Sequence, residues 1–163
     1  MIRLESFTPA DFQQLIDWIN SEELLTKWSG TLFSYPLTFE SMKWYINDTN
    51  VVNETVGHIS LGGLSWKNRS ARISRVLVGK TSEQRRGICQ HMTKAVLKIG
   101  FEELGLHRIG LGVYENNPGA IQCYKKCGLK IEGVSKDILW FNNEFLSMVE
   151  MAILEDEWKA LQV

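Results

Sequence analysis

Apolar and polar positions are spaced differently from one stretch of this chain to the next, and each spacing predicts an element. Residues 2–7 set Ile2, Leu4 and Ser6 against Arg3, Glu5 and Phe7, the two-residue period of a strand. Thr8, Pro9 and Asp11 then read as a helix start, with threonine at the N-cap, proline at the first helical position and an acid at the third. Phe12, Leu15, Ile16 and Ile19 continue it with the three-and-four spacing of a buried face. A second short helix is expected over 22–28 and a loop over 30–36. A third helix follows Thr38, with Phe39, Met42, Tyr45 and Ile46 on its apolar side.

From Val56 the period returns to two. Strands are expected over 56–64 and 71–78, joined through the polar turn Trp66-Lys67-Asn68-Arg69-Ser70. A helix over 84–103 carries Ile88, Met92, Ala95, Val96 and Ile99 on one stripe, and 108–114 reads as a buried strand. Asn117-Pro118 opens a short helix that ends at Cys127-Gly128, glycine being the usual C-cap. Residues 129–141 and 145–154 flank Asn142-Asn143-Glu144 as a hairpin, and the tail over 155–162 is helical. Without repeats, linkers or low-complexity segments, 1–163 is one domain of the α/β or α+β class built on a mixed sheet.

Composition narrows this further. A chain of 163 residues is long enough for one core without staples, and 44% hydrophobic with 23% charged residues excludes a disordered chain. No apolar run approaches the roughly 20 residues of a membrane span, and the opening residues read as a strand instead of a signal peptide. The net charge of −1 is unevenly distributed: residues 1–60 carry eight acids and three bases, and the remainder is basic. That division fits two differently solvated faces, and it also fits a cationic acceptor on one side and an anionic cofactor on the other. Cys89, Cys123 and Cys127 are an odd number without framework or metal-ligand spacing. They are expected to be free, buried thiols of a cytoplasmic protein, with no metal site.

The stretch over 76–90, Val-Leu-Val-Gly-Lys-Thr-Ser-Glu-Gln-Arg-Arg-Gly-Ile-Cys-Gln, carries the chemistry. A β-branched run enters a polar loop that opens directly into a helix. Main-chain N–H groups at a helix start have no partner within the helix, and with the macrodipole they form a seat for a diphosphate. The loop also lies at the C-terminal end of a strand, where open sheets bind ligands.

Gln84, Gly87 and Cys89 form Q-x-x-G-x-C, which resembles the Q/R-x-x-G-x-G/A signature of the GNAT superfamily of N-acetyltransferases. Asn117, Ala120, Tyr124 and Gly128 match the N-x-x-A-x-x-x-Y-x-x-x-G pattern of the same superfamily, separated from the first motif by one helix and one strand. The stretch Phe-Glu-Glu-Leu-Gly-Leu-His-Arg-Ile over 101–109 resembles the subgroup of ribosomal-protein N-terminal and spermidine acetyltransferases. The likeness runs from about Gly57 to the C-terminus.

The resemblance implies a GNAT-like domain: a central mixed, mostly antiparallel sheet of six or seven strands flanked by helices. The room between Asp48 and Val56 implies that the second strand is abbreviated. It implies acetyl-CoA as cofactor and direct transfer of acetyl to a primary amine, either a protein N-terminus or a small cationic amine; a fold-mate that binds coenzyme A without transferring is the alternative. Backbone groups of Val76, Leu77 and Val78 would take the pantetheine arm, with an N–H near Val78 on the carbonyl. Gln84, Arg85, Arg86, Gly87, Ile88, Cys89 and Gln90 would cradle the pyrophosphate. Asn117 and Ala120 would line the site, and Tyr124 would protonate the departing thiolate, although by position alone Tyr124 reads more readily as a core tyrosine. For the base, Glu54, His58 and Glu115 stand open, His58 and Glu115 foremost. The partner is a peptide or small-molecule amine, not nucleic acid or membrane, with a homodimer admitted. Three positions depart from the pattern: Arg85 stands where glycine is frequent, Cys89 replaces glycine or alanine, and Leu129 replaces phenylalanine.

Overall fold

The computed structural model describes residues 6–45, 57–79 and 87–162. Its first part is helical. A 3₁₀ turn over Pro9–Asp11 leads into α1 (Phe12–Trp18), followed by α2 (Glu22–Ser29) and α3 (Phe39–Tyr45). Thr8 and Asp11 form the expected reciprocal cap, the Asp11 carboxylate accepting from the Thr8 N–H at 2.8 Å. Ser21 caps α2 by accepting from the Leu24 N–H at 3.2 Å, satisfying one of the open donors of the first turn.

The second part supplies the sheet: β1 (Gly57–Ser65), β2 (Ser70–Val78), α4 (Ile88–Lys98), β3 (Arg108–Tyr114), α5 (Pro118–Lys126), β4 (Lys130–Phe141), β5 (Glu144–Leu154) and α6 (Glu155–Ala160). The strand order is β1-β2-β3-β5-β4, with β2 and β3 parallel and the other neighbours antiparallel. The mixed, mostly antiparallel character is as expected, but the described sheet has five strands and not six or seven. Of the first expected strand only Ser6 and Phe7 are described, and neither is in a strand: Phe7 packs into the helical core and not onto a ladder. The expected abbreviated strand falls within 46–56, outside the described residues.

Two cores result. The larger packs α4, α5 and α6 onto one face of the sheet, through Ile73, Met92, Leu97, Ile109, Met151 and Trp158 among others. The buried stripe of α4 is Ile88, Met92, Thr93, Val96 and Leu97, so Thr93 and Leu97 take inward places that the sequence pattern assigned to Ala95 and Ile99. The helix then widens into a π turn over Ile99–Glu103, with Leu104 N–H donating to Ile99 O at 2.9 Å. Gly100 lies in that turn, where a Cβ would run into the Ile109 side chain; glycine lets the helix end approach β3. The smaller core joins α1, α2, α3 and the loop at Phe33 and Leu37 to Leu77 of β2. β2 therefore has a helical layer against each of its sides.

Candidate active site

The site arises where two parallel strands pair and then part. β2 and β3 are in register at Ser70 with Arg108, Ala71 with Ile109 and Arg72 with Gly110, and pair no further. Beyond that point Ile73, Val76 and Val78 of β2 and Leu111, Val113 and Tyr114 of β3 line a cleft of about 1050 Å³. Parallel strands that separate leave backbone N–H and C=O groups on the facing edges without ladder partners, able to take an extended ligand as an added strand.

A bulge shapes the β2 side. Against β1, His58 pairs with Leu77 and Ser60 with Ser74, so Ile59 faces two residues, Arg75 and Val76. Arg75 takes up the extra residue with φ of 52°, in the left-handed region. Its carbonyl accepts a hydrogen bond from the Trp28 indole N–H at 2.9 Å. Trp28 stacks on Phe33 and meets the His58 ring edge-on, so the end of α2 is tied to the bulge. This side of the cleft is completed by Lys27, Trp28 and 29–32.

The opposite side is made by two helix starts. Gly87 occupies the N-cap of α4 with φ of 74°, a conformation that glycine adopts freely, and it has no side chain with which to cap the first turn. Asn117 caps α5 by accepting from the Ala120 N–H at 3.2 Å, with Pro118 at the first helical position. Asn117, Gly119, Ala120, Cys123 and Tyr124 of this segment line the cleft, as does Cys89 of α4. Tyr124 is 6% exposed, and burial, with the Cys127 sulfur nearby, pushes its phenol well above the ordinary range. Its hydroxyl thus stays protonated at any working pH.

Seven of the residues singled out in the sequence meet here. Val76, Leu77, Val78, Cys89, Asn117, Ala120 and Tyr124 share the one cleft. Gln84, Arg85 and Arg86, and the base candidate Glu54, lie outside the described residues. Ile88 turns its side chain into the large core, so only its main chain is available at the helix start. His58 is not among the cleft residues. Its ring packs against Phe7 and Trp28 of the smaller core, 3% exposed, with burial and then the Arg75 charge pushing its imidazole down to about 3. Glu115 is exposed directly after Tyr114, its N–H donating to Ser147 O at 2.9 Å.

The cysteines require a correction. Cys89 and Cys123 are not free thiols but a disulfide, with Cα atoms 6.3 Å apart; only Cys127 remains a thiol, buried. Their separation of 34 in sequence carries no signal, because the pairing depends on α4 and α5 lying side by side on the sheet. Sequence reasoning also missed Trp28, Arg72 and Tyr114. Tyr114 had a signal, as the last residue of the apolar run that precedes Glu115; Trp28 reads as an ordinary core position of a short helix.

Residues 2–130 match the family model described as an acetyltransferase (GNAT) domain. The chain belongs to the GNAT acetyltransferase family. Members of this family use acetyl-CoA. Among curated relatives, the uncharacterized N-acetyltransferase YnaD of Bacillus subtilis is 35% identical over 75 residues, 46% of this chain and 44% of that protein. The spermidine N(1)-acetyltransferase of Vibrio cholerae is 26% identical over 103 residues, 63% of this chain and 58% of that protein. The chain spans about half the length of the curated relatives it matches. The Vibrio cholerae spermidine N-acetyltransferase structure in complex with CoA and spermine has a TM-score of 0.81 at 20% identity, covering 97% of this chain and 98% of that one. At that identity the likeness is one of fold.

The described residues of this GNAT domain fit the cofactor. An extended arm matches the parted strand edges, and a diphosphate matches the start of α4, whose first N–H groups have no internal partners. Among the described residues no cluster of His, Cys, Asp and Glu could hold a metal ion, and no helix is long and apolar enough to cross a membrane.

Proposed function

We propose that this chain is an acetyl-CoA-dependent N-acetyltransferase that moves acetyl directly to a primary amine. The observation that carries this reading is the parting of β2 from β3 after three paired residues, with a helix start at one end of the opening and a buried, protonated tyrosine on its wall. Bound acetyl-CoA would supply an activated acetyl thioester and a thiol leaving group.

The chain's own residues have distinct tasks. Backbone groups of 73–78 align the pantetheine arm, and the N–H groups of 87–90 hold the diphosphate. Main chain at the bulge over Arg75 and Val76 is turned out of the regular ladder, as a donor to a polarised carbonyl must be. The Tyr124 hydroxyl keeps its proton and directs it at the sulfur position, where negative charge develops on departure. His58, neutral and off the cleft, serves packing and not proton transfer. Glu115 takes the amine's proton by way of water, being exposed one residue past the cleft wall.

The acceptor side bears on substrate. The charged side chains lining the cleft among the described residues are Lys27, Arg72 and Arg75, with Lys27 paired to Glu23 at 2.6 Å and Arg72 to Glu150 at 2.8 Å. A wall of this kind favours an acceptor with a single amine, such as the α-amino group of a peptide or amino acid, over a polycation.

The test is release of coenzyme A thiol across a panel of N-terminal peptides, amino acids and spermidine, beside calorimetric binding of acetyl-CoA. Turnover with a single-amine acceptor, preferred over spermidine by about tenfold in kcat/KM, is expected. Binding without turnover on any amine would leave a coenzyme A-binding protein of the same fold, and no binding at all would end the reading.

A further inference from the structure

The start of α4 is joined to the body of α5 by a covalent bond beside the cleft. Cys89 is the second residue of α4 and Cys123 the sixth of α5, and both line the cleft. The bridge therefore lies two residues from Gly87 at the helix start and one residue from Tyr124. Cys127, one helical turn past Cys123, is 1% exposed, and its thiol donates to Gln90 O at 3.7 Å. Burial pushes that thiol up to about 11, so it holds almost no thiolate with which to displace the bridge.

We propose that the Cys89–Cys123 pair positions the cofactor under redox control: the bonded form holds the start of α4 against α5 in the arrangement that grips the diphosphate, and the dithiol form grips it less well. The proposal rests on the acetyl-CoA reading above. Two physical effects act in the same direction. The bridge removes relative motion of the main-chain donors over 87–90 and the Asn117–Tyr124 segment, so less order is lost on binding. Reduction also frees a thiol in the first turn of α4, where the helix field favours thiolate. That charge would stand close to the seat of a double anion.

The step is balanced with a small-molecule disulfide as oxidant. The thiols of Cys89 and Cys123 form one S–S bond, two electrons pass to glutathione disulfide, and its halves leave as two molecules of glutathione. The half-buried Cys89 opens on the cleft and offers the entry point for exchange.

The test uses the whole chain and desulfo-coenzyme A, which carries the diphosphate but no thiol to exchange. The protein is equilibrated across glutathione ratios, and non-reducing peptide mapping measures the Cys89–Cys123 bond. Calorimetry then gives the affinity of each form. The expected result is a dissociation constant about fivefold or more higher after reduction. Linkage requires the reciprocal effect: saturating desulfo-coenzyme A should move the midpoint of bridge formation by the same factor, about 20 mV toward more reducing potential. A merely structural bridge would not respond to the ligand. Cys127→Ala should keep both effects, and Cys89→Ala with Cys123→Ala should bind with one affinity in all buffers. Equal affinities of the bridged and reduced forms, or no bridge at any glutathione ratio, would overturn the proposal and leave the acetyl-CoA reading standing. Failure of both forms to bind would overturn both.

Discussion

The α4–α5 wall and the α1–α3 wall stand on opposite sides of the same strand, yet they use the chain in different ways. On the first, the proposed cofactor seat is made of main chain and a few side chains tied to helix geometry: the start of α4 at Gly87, a cap at Asn117, and a tyrosine one turn past Ala120. Such features sit within a few residues of one another, so a local pattern can carry them. The second wall is assembled from aromatic packing, with Trp28 on Phe33, the buried His58 behind Trp28, and the loop after α2 closing the side. No spacing rule describes it, since its shape answers to whichever acceptor it admits. A motif can thus announce the donor half of a transferase while the acceptor half stays illegible.

Experiments can break that division. The largest effect is expected at His58, which packs behind the second wall against Trp28. Its imidazole is held at about 3, against an ordinary value of 6.5. Between those values the unfolded chain binds a proton that the folded one refuses, so stability is complete above pH 6.5 and falls as the pH drops toward 3. A loss of about 2 kcal/mol between pH 6.5 and 4.5 should appear in urea unfolding, and His58→Phe should flatten that slope. Acid insensitivity of the wild-type protein would contradict the buried neutral imidazole. If His58→Phe also retains turnover at neutral pH, His58 belongs to packing and not to catalysis.

Next is Tyr124→Phe, for which the rate of acetyl transfer should fall about 10- to 100-fold while acetyl-CoA affinity is kept. A full rate in this variant would remove the hydroxyl from the reaction. Gly87→Val comes third. A β-branched residue at φ of 74° strains the helix start, so acetyl-CoA should bind about tenfold more weakly with the acceptor KM unchanged. Should the acceptor KM move instead, the two walls are not separable. The smallest effect belongs to Trp28→Phe, which keeps a ring on Phe33 but loses the bond to the Arg75 carbonyl. The acceptor KM should rise about threefold with acetyl-CoA affinity untouched, as for a modest loss of positioning.

Elements were legible where local rules govern them. Thr8 with Asp11 and Asn117 with Pro118 mark helix starts that the structure reproduces. The hairpin around Asn142 and Asn143 follows because asparagine tolerates the left-handed turn, with φ of 50° and 63°. Misreadings occurred where burial is decided at a distance. Thr93 and Leu97 face inward because β3 and α5 lie where they do, and Cys89 meets Cys123 because two helices share a sheet face. His58 offered itself as a base from its place near a strand end, but the tertiary structure enclosed it in rings.

The amino-acid sequence by itself determined the order of elements from Thr8 onward, several of their caps and turns, and the motifs that resemble the GNAT family, since each depends on residues within a few positions of one another. Only the tertiary structure decided that β2 and β3 part after Arg72 and Gly110, that Trp28 anchors a bulge 47 residues away, and that two of three cysteines are joined. Those outcomes follow from packing between segments far apart in the chain, and no local pattern encodes a distance between helices.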